Sequence, residues 1–129
     1  MGVIPRGRRA DILSFEVKGH VRYANGLPAS QIKIAAFDRD LHSQQPLGET
    51  VTDASGSYSI EYSTDRLLEP GRGAANMSVK AYDVNSSPVG ESEVRYAVRG
   101  SQIIDLTISR DQSRLRSMFL RLIERLRGV

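Results

Sequence analysis

Asp38, Asp40 and Asp53 are the acidic residues whose placement could do chemistry, because together at one end of a β-fold they could hold Ca²⁺ through oxygen ligands. The spacing of an EF-hand loop is missing, however, and no Glu is positioned as a bidentate closer. The reading carried forward is that Asp53 caps its own turn, while Asp38 and Asp40 end a strand and pair with Arg39 or other surface cations; no metal is assigned. His20 and His42 are the only imidazoles of the 129 residues, and general acid–base work needs paired groups that the spacing does not assemble. His20 falls on the polar side of an alternating run, where a solvated histidine is expected. Lys18 and Asp105 are the pair that could close an isopeptide between first and last strands. Each alternates with apolar neighbours (Val17 and Gly19; Ile104 and Leu106) and is expected to point outward, whereas that bond needs a buried pair. The chain has no cysteine, which removes disulfides and thiolate metal sites. No catalytic or cofactor-binding residue is assigned, and the chain is expected not to be an enzyme.

The elements that carry these residues read mostly in period two. Phe15, Val17, Gly19 and Val21 alternate with Glu16, Lys18, His20 and Arg22; Ile32, Ile34 and Ala36 mark a second strand ending near Phe37 to Asp40. A third runs from Leu47 to Thr52, and Tyr58, Ile60 and Tyr62 share a face of the fourth. Met77, Val79, Ala81 and Asp83 begin a fifth, Val89 to Ala97 is a sixth, and Gln102 to Ser109 a seventh. Turn chemistry separates them: Asn25-Gly26-Leu27-Pro28, Asp53-Ala54-Ser55-Gly56 and Asn85-Ser86-Ser87-Pro88. Seven short strands at this spacing predict a mainly β, seven-stranded antiparallel β-sandwich over residues 14–109.

The period changes at Asp111. Leu115, Met118, Phe119, Leu122, Ile123 and Leu126 recur at three- and four-residue steps, which predicts a C-terminal amphipathic α-helix over 110–129 with arginines on its polar side. Those six residues are the predicted partner-binding set. The helix has three readings: folded back on its own sandwich, paired with a protein partner or second copy, or laid on an anionic membrane. A stripe that large calls for a cover, and arginine rather than lysine with no Trp favours protein contact over membrane.

Net charge is +3, but it sits at the ends. A basic arm, within residues 1–13, holds Arg6, Arg8 and Arg9; residues 111–129 carry five arginines against Asp111 and Glu124; residues 10–110 hold ten basic and thirteen acidic residues. The sandwich itself thus offers no basic face for nucleic acid. No apolar run approaches the ~18 residues of a membrane span. Without an apolar stretch after the basic N-terminus no signal peptide is expected, and the chain is expected in the cytoplasm before any machine-dependent export.

Gly26-Leu27-Pro28, Ile32-Lys33-Ile34, Phe37-Asp38-Arg39-Asp40-Leu41, Leu47-Gly48-Glu49-Thr50 and the run Thr52 to Ile60 with Thr-Asp-x-x-Gly-x-Tyr together resemble the carboxypeptidase-regulatory-like, transthyretin-like (prealbumin-like) family. The variant with Asp-Arg-Asp-Leu is similar to modules of bacterial toxins and of contractile-injection and type VI secretion proteins. The resemblance covers about residues 15–109 and implies a spacer, adaptor or recognition domain. A related hydrolase acting on hydroxyisourate ends in Tyr-Arg-Gly-Ser; here Tyr96 stands two residues too early before Arg99-Gly100-Ser101, and the histidine motif is absent.

The expected function is a non-catalytic interaction or assembly module, an accessory or adaptor domain of a toxin or secretion system docking through the helix. Cell-surface or carbohydrate recognition is the alternative, with a hydroxyisourate hydrolase behind it.

Overall fold

A computed structural model describes residues 12–109. The expected helix at 110–129 and all but two residues of the basic arm fall outside these.

Among the described residues nine strands form two sheets. β1 (Ser14–Tyr23) is the spine of the four-stranded sheet, where β4 (Ser57–Ser63) lies on one side and the short β8 (Ser101–Ile103) and β9 (Leu106–Ile108) follow each other on the other. The five-stranded sheet runs β3 (Gln44–Val51), β2 (Lys33–Arg39), β5 (Ala75–Tyr82), then β6 (Pro88–Glu91) and β7 (Arg95–Val98). Alternation decides what is buried. Phe15, Val17 and Val21 from β1 and Tyr58, Ile60 and Tyr62 from β4 meet Ile34 and Ala36 of β2 and Met77, Val79 and Ala81 of β5 in one core. Phe15 and Tyr62 meet edge to face at 6.0 Å, an arrangement the ring quadrupoles favour.

The turns follow their chemistry. Gly56 sits at φ +79°, where its N–H donates to Asp53 O and its carbonyl accepts from Val21 N at 2.8 Å; a Cβ there would lie 2.4 Å from Val21 O. Two single turns of 3-10 helix, Thr64–Arg66 and Pro70–Arg72, lie in the loop between β4 and β5.

The expectation of seven antiparallel strands is corrected in two respects. Each of the last two predicted strands is broken in two. Ser92 interrupts the sixth: its N–H donates to Val79 O and its Oγ accepts from Val79 N, so a side chain takes the place of the ladder and the strand divides into β6 and β7. Ile104 and Asp105 interrupt the seventh. Ile104 N donates to Lys18 O at 2.8 Å, and the Asp105 carboxylate, not a backbone carbonyl, accepts from His20 N at 2.8 Å. The second correction is direction: β8 and β9 both run parallel to β1, so the four-stranded sheet is mixed. The described residues contain no α-helix, and among them no helix is long and apolar enough to cross a membrane.

Candidate functional site

Asp38, Asp40 and Asp53 are not gathered at one point but each is tied to backbone amides. Asp53 Oδ1 accepts from Ser55 N, Ser57 N and Ser55 Oγ at 2.8–2.9 Å, and Asp40 Oδ1 accepts from His42 N and Ser43 N at 2.8 Å. Those bonds favour the ionised form and hold both carboxyls below the ordinary carboxylate range, with Ser55 Oγ the largest cause at Asp53 and His42 N at Asp40. Asp38 differs. It is 4 % exposed, and its two oxygens accept from Asn76 N at 2.8 Å and Leu68 N at 2.9 Å, pinning the β4–β5 loop to the end of β2. The sequence expectation of a surface Asp38 paired to cations is therefore replaced by a buried one. Among the described residues no group of three His, Cys, Asp or Glu is close enough to hold a metal ion.

The remaining sequence candidates also separate. His20 lies in β1 opposite Ser57 with its N–H on Asp105, while His42 sits in the Asp40 turn. Arg99 Nη1 donates to Gly73 O and Ser101 Oγ to Glu16 Oε1, so the Arg-Gly-Ser segment is joined to neither histidine by any of these bonds. Lys18 and Asp105 are both exposed, as expected, and Lys18 Nζ stands 3.9 Å from Glu16. Leu115, Met118, Phe119, Leu122, Ile123 and Leu126 lie outside the described residues.

Two buried phenols mark the inner ends of the core. Tyr58 Oη donates to Ile104 O at 2.6 Å, and burial drives its pKa above the ordinary value, with Asp105 adding and Arg95 opposing. Tyr62 is pushed up to about 12 by burial, with the charge of Asp38 adding, and its Oη has no hydrogen-bond partner among the described residues. An acid with a raised folded pKa keeps its proton in the native state while the unfolded chain, near 10.0, gives it up. Stability from these two groups is therefore complete below pH 10 and is lost above it, for Tyr62 as pH rises through about 12. Urea midpoints should hold up to pH 10 and fall steeply beyond it, less so in Tyr58→Phe. Phenolate absorbance showing that Tyr58 and Tyr62 of the folded chain titrate at the ordinary value would contradict this.

The surface missed by sequence reasoning is the outer face of the five-stranded sheet. The pairing register sets Val51, Lys33, Tyr82 and Pro88 in one row, Glu49, Ala35, Lys80 and Glu91 in the next, then Pro46, Phe37 and Ser78. Lys33 Nζ stands 5.5 Å from the centre of the Tyr82 ring and Lys80 Nζ 5.1 Å from that of Phe37. Lys33 also faces Glu49 at 3.9 Å, and Arg39 pairs with Glu91 at 3.1 Å. Among these long side chains Ala35 and Ser78 are buried although they point away from the core, and Ser78 Oγ has no partner among the described residues. The signal was available in parity. Phe37 is out of phase with Ile34 and Ala36, and Tyr82 with Val79 and Ala81.

No family model matches the chain, and no curated protein matches its sequence. Among solved structures, 82% of the chain superimposes on 20% of a 9R-lipoxygenase from Cyanothece PCC8801 (TM-score 0.49, 16% identity). It also matches a chlorocatechol 1,2-dioxygenase from Pseudomonas putida over 78% of this chain and 61% of that one (TM-score 0.48, 15% identity). An alternative pilotin from the type II secretion system of Vibrio cholerae matches over 76% of this chain and 96% of its own (TM-score 0.46, 12% identity). The chain thus spans a fifth of the lipoxygenase and less than two thirds of the dioxygenase. Likenesses at this level carry no argument about the family or the activity of this chain.

Proposed function

We propose that this chain is a non-catalytic protein-binding module, an accessory or adaptor domain that presents the outer face of its five-stranded sheet to a protein partner. The observation that carries the reading is the pair of lysine–aromatic contacts, Lys33 on Tyr82 and Lys80 on Phe37, set over the small residues Ala35 and Ser78. Aromatic rings, an arginine and matched charges on one flat face are the composition that protein interfaces favour. A sugar platform needs bare ring faces, and here Phe37 and Tyr82 each already carry an ammonium, which disfavours a carbohydrate reading of these two rings. Placement in a bacterial toxin or secretion machine rests on the sequence resemblance of residues 26–60. Acid–base catalysis has little to work with, since the turn carboxylates are engaged by backbone amides and the histidines lie in different elements.

A photo-crosslinking residue at Tyr82, in cells expressing the chain from its own gene, should give one discrete protein adduct, whereas the same residue at Ser59 on the other sheet should not. Phe37→Glu should abolish the adduct without unfolding the chain. Equal labelling from both positions, or measurable hydroxyisourate turnover, would remove the reading. An adduct with a second copy of this chain would make the partner itself.

A further inference from the structure

A cleft of about 200 Å³ opens at one end of the sandwich, where the β5–β6 hairpin meets the start of β2 and the ends of β1 and β9. Ile32 and Ile108, both rooted in the core, and the half-buried Tyr23 and Val89 line it, and Val84 stands 62 % exposed at its side. The exposed Leu27 is held beside them, since its carbonyl accepts from Tyr23 N at 2.9 Å. Pockets for drug-sized ligands run to roughly 300–1,000 Å³, so this space suits a side chain or two of a polypeptide. Apolar groups gathered at the surface in this way call for a cover.

Where the chain goes next says what the cover is. Ser109, the last described residue, is itself part of the cleft wall, and its N–H donates to Val89 O at 3.2 Å. Residue 110 therefore starts at the rim, and any other occupant has to share the opening with it. The sequence that follows carries Leu115, Met118, Phe119, Leu122, Ile123 and Leu126. The five residues between Ser109 and Leu115 reach at most about 20 Å when extended, so this set is held close to the cleft. A tether that short presents its side chains at an effective concentration of about a millimolar, an advantage that no untethered partner of the same chemistry has.

Charge points the same way. Residues 12–109 hold nine basic and twelve acidic residues, whereas residues 110–129 hold six arginines against Asp111 and Glu124. The sandwich and the segment that leaves it are thus of opposite sign, which favours their contact over contact between two copies of either.

We infer that the chain's own residues 110–129 cover this end of the sandwich, with apolar side chains of the Leu115 to Leu126 set seated on the cleft and on Val84. The contact is intramolecular and does not rest on the docking reading above, which uses the outer face of the five-stranded sheet; crosslinking from Tyr82 judges that reading separately.

The chain has no cysteine, so a thiol placed at position 84 reports on that position alone. Val84→Cys in the purified full chain should react with a maleimide slowly, and adding Phe119→Ser and Leu122→Ser should speed the reaction about tenfold, the ratio for a cover in place about nine-tenths of the time. Serine leaves the charge near the thiol unchanged. Ser59→Cys, on the outer face of the other sheet, should react at one rate in both backgrounds. An unchanged rate at position 84 overturns the inference. Protection that fades when the protein is diluted about a hundredfold also overturns it, by assigning the cover to a second copy. If the serine variant does not fold, disulfide closure decides: Val84→Cys with Phe119→Cys should close within one chain faster than Val84→Cys with Arg114→Cys, although Arg114 lies nearer the point of attachment. Equal closure, or faster closure from position 114, would show tethering without a seat and overturns the inference.

Discussion

Gly19→Ala should destabilise the chain by about 3 kcal/mol, although it adds a single methyl group. A Cβ at Gly19 would lie 2.1 Å from Ile104 O, 2.7 Å from Ile104 C and 2.9 Å from an Asp105 carboxylate oxygen. The first two are backbone atoms that no rotamer change can move. Three bonds depend on that approach: Ile104 N to Lys18 O, His20 N to Asp105 Oδ1, and Tyr58 Oη to Ile104 O. Together they join β1 to the break between β8 and β9, so the methyl group would lever the parallel strands away from β1 and uncap the Tyr58 hydroxyl. Gly26→Ala is the control. Gly26 has φ +88° but nothing within 4 Å of a Cβ, so it tests conformation without crowding and should cost about 1–2 kcal/mol. Urea denaturation of the two variants should separate them clearly. Coincident curves would mean that β1 does not approach Ile104 as closely as described.

That same approach explains where the sequence stopped being legible. The alternation of β1 and β4 and the Asp53–Gly56 turn could be read directly, because a half-buried strand and a left-handed turn both demand particular residue types. The breaks in the last two predicted strands could not. Ser92 and Asp105 replace ladder bonds with side-chain oxygens, and neither residue disturbs the period in a way that identifies its partner. Parallel pairing of β8 and β9 with β1 is a long-range fact with no local mark. Parity, by contrast, held information at Phe37, Tyr82 and Asp38. The first two are out of phase with the core and so belong to the outer face. Asp38 follows Ile32, Ile34 and Ala36 in phase and so belongs inside.

Asp38→Ala should cost about 3 kcal/mol, since it strands two backbone donors, each worth roughly 1–3 kcal/mol when shut away unpaired. Leu68 N and Asn76 N are those donors, and they sit at either side of the 3-10 turn Pro70–Arg72. Loss of both should release residues 68–73 locally before the sandwich unfolds: Leu67 and Ala74 stay buried on either side, and between them Arg72 N to Glu69 O and Gly73 N to Pro70 O are internal to the loop, whereas Arg99 Nη1 to Gly73 O is exposed. Asp38→Asn should be milder. Its amide keeps one acceptor oxygen, so one of the two N–H groups retains a partner while the other meets an NH₂ group. Hydrogen exchange distinguishes the cases: protection at Leu68 and Asn76 should be lost together in the alanine variant and at one of the two in the asparagine variant. Tyr62 gives an independent reading. The Asp38 charge adds to the burial that raises its phenol to about 12, so both variants should lower that value, and Asp38→Asn should do so without opening a cavity. Unchanged exchange at Leu68 and Asn76, with an unchanged Tyr62 titration, would show that the loop is held by something other than this carboxylate.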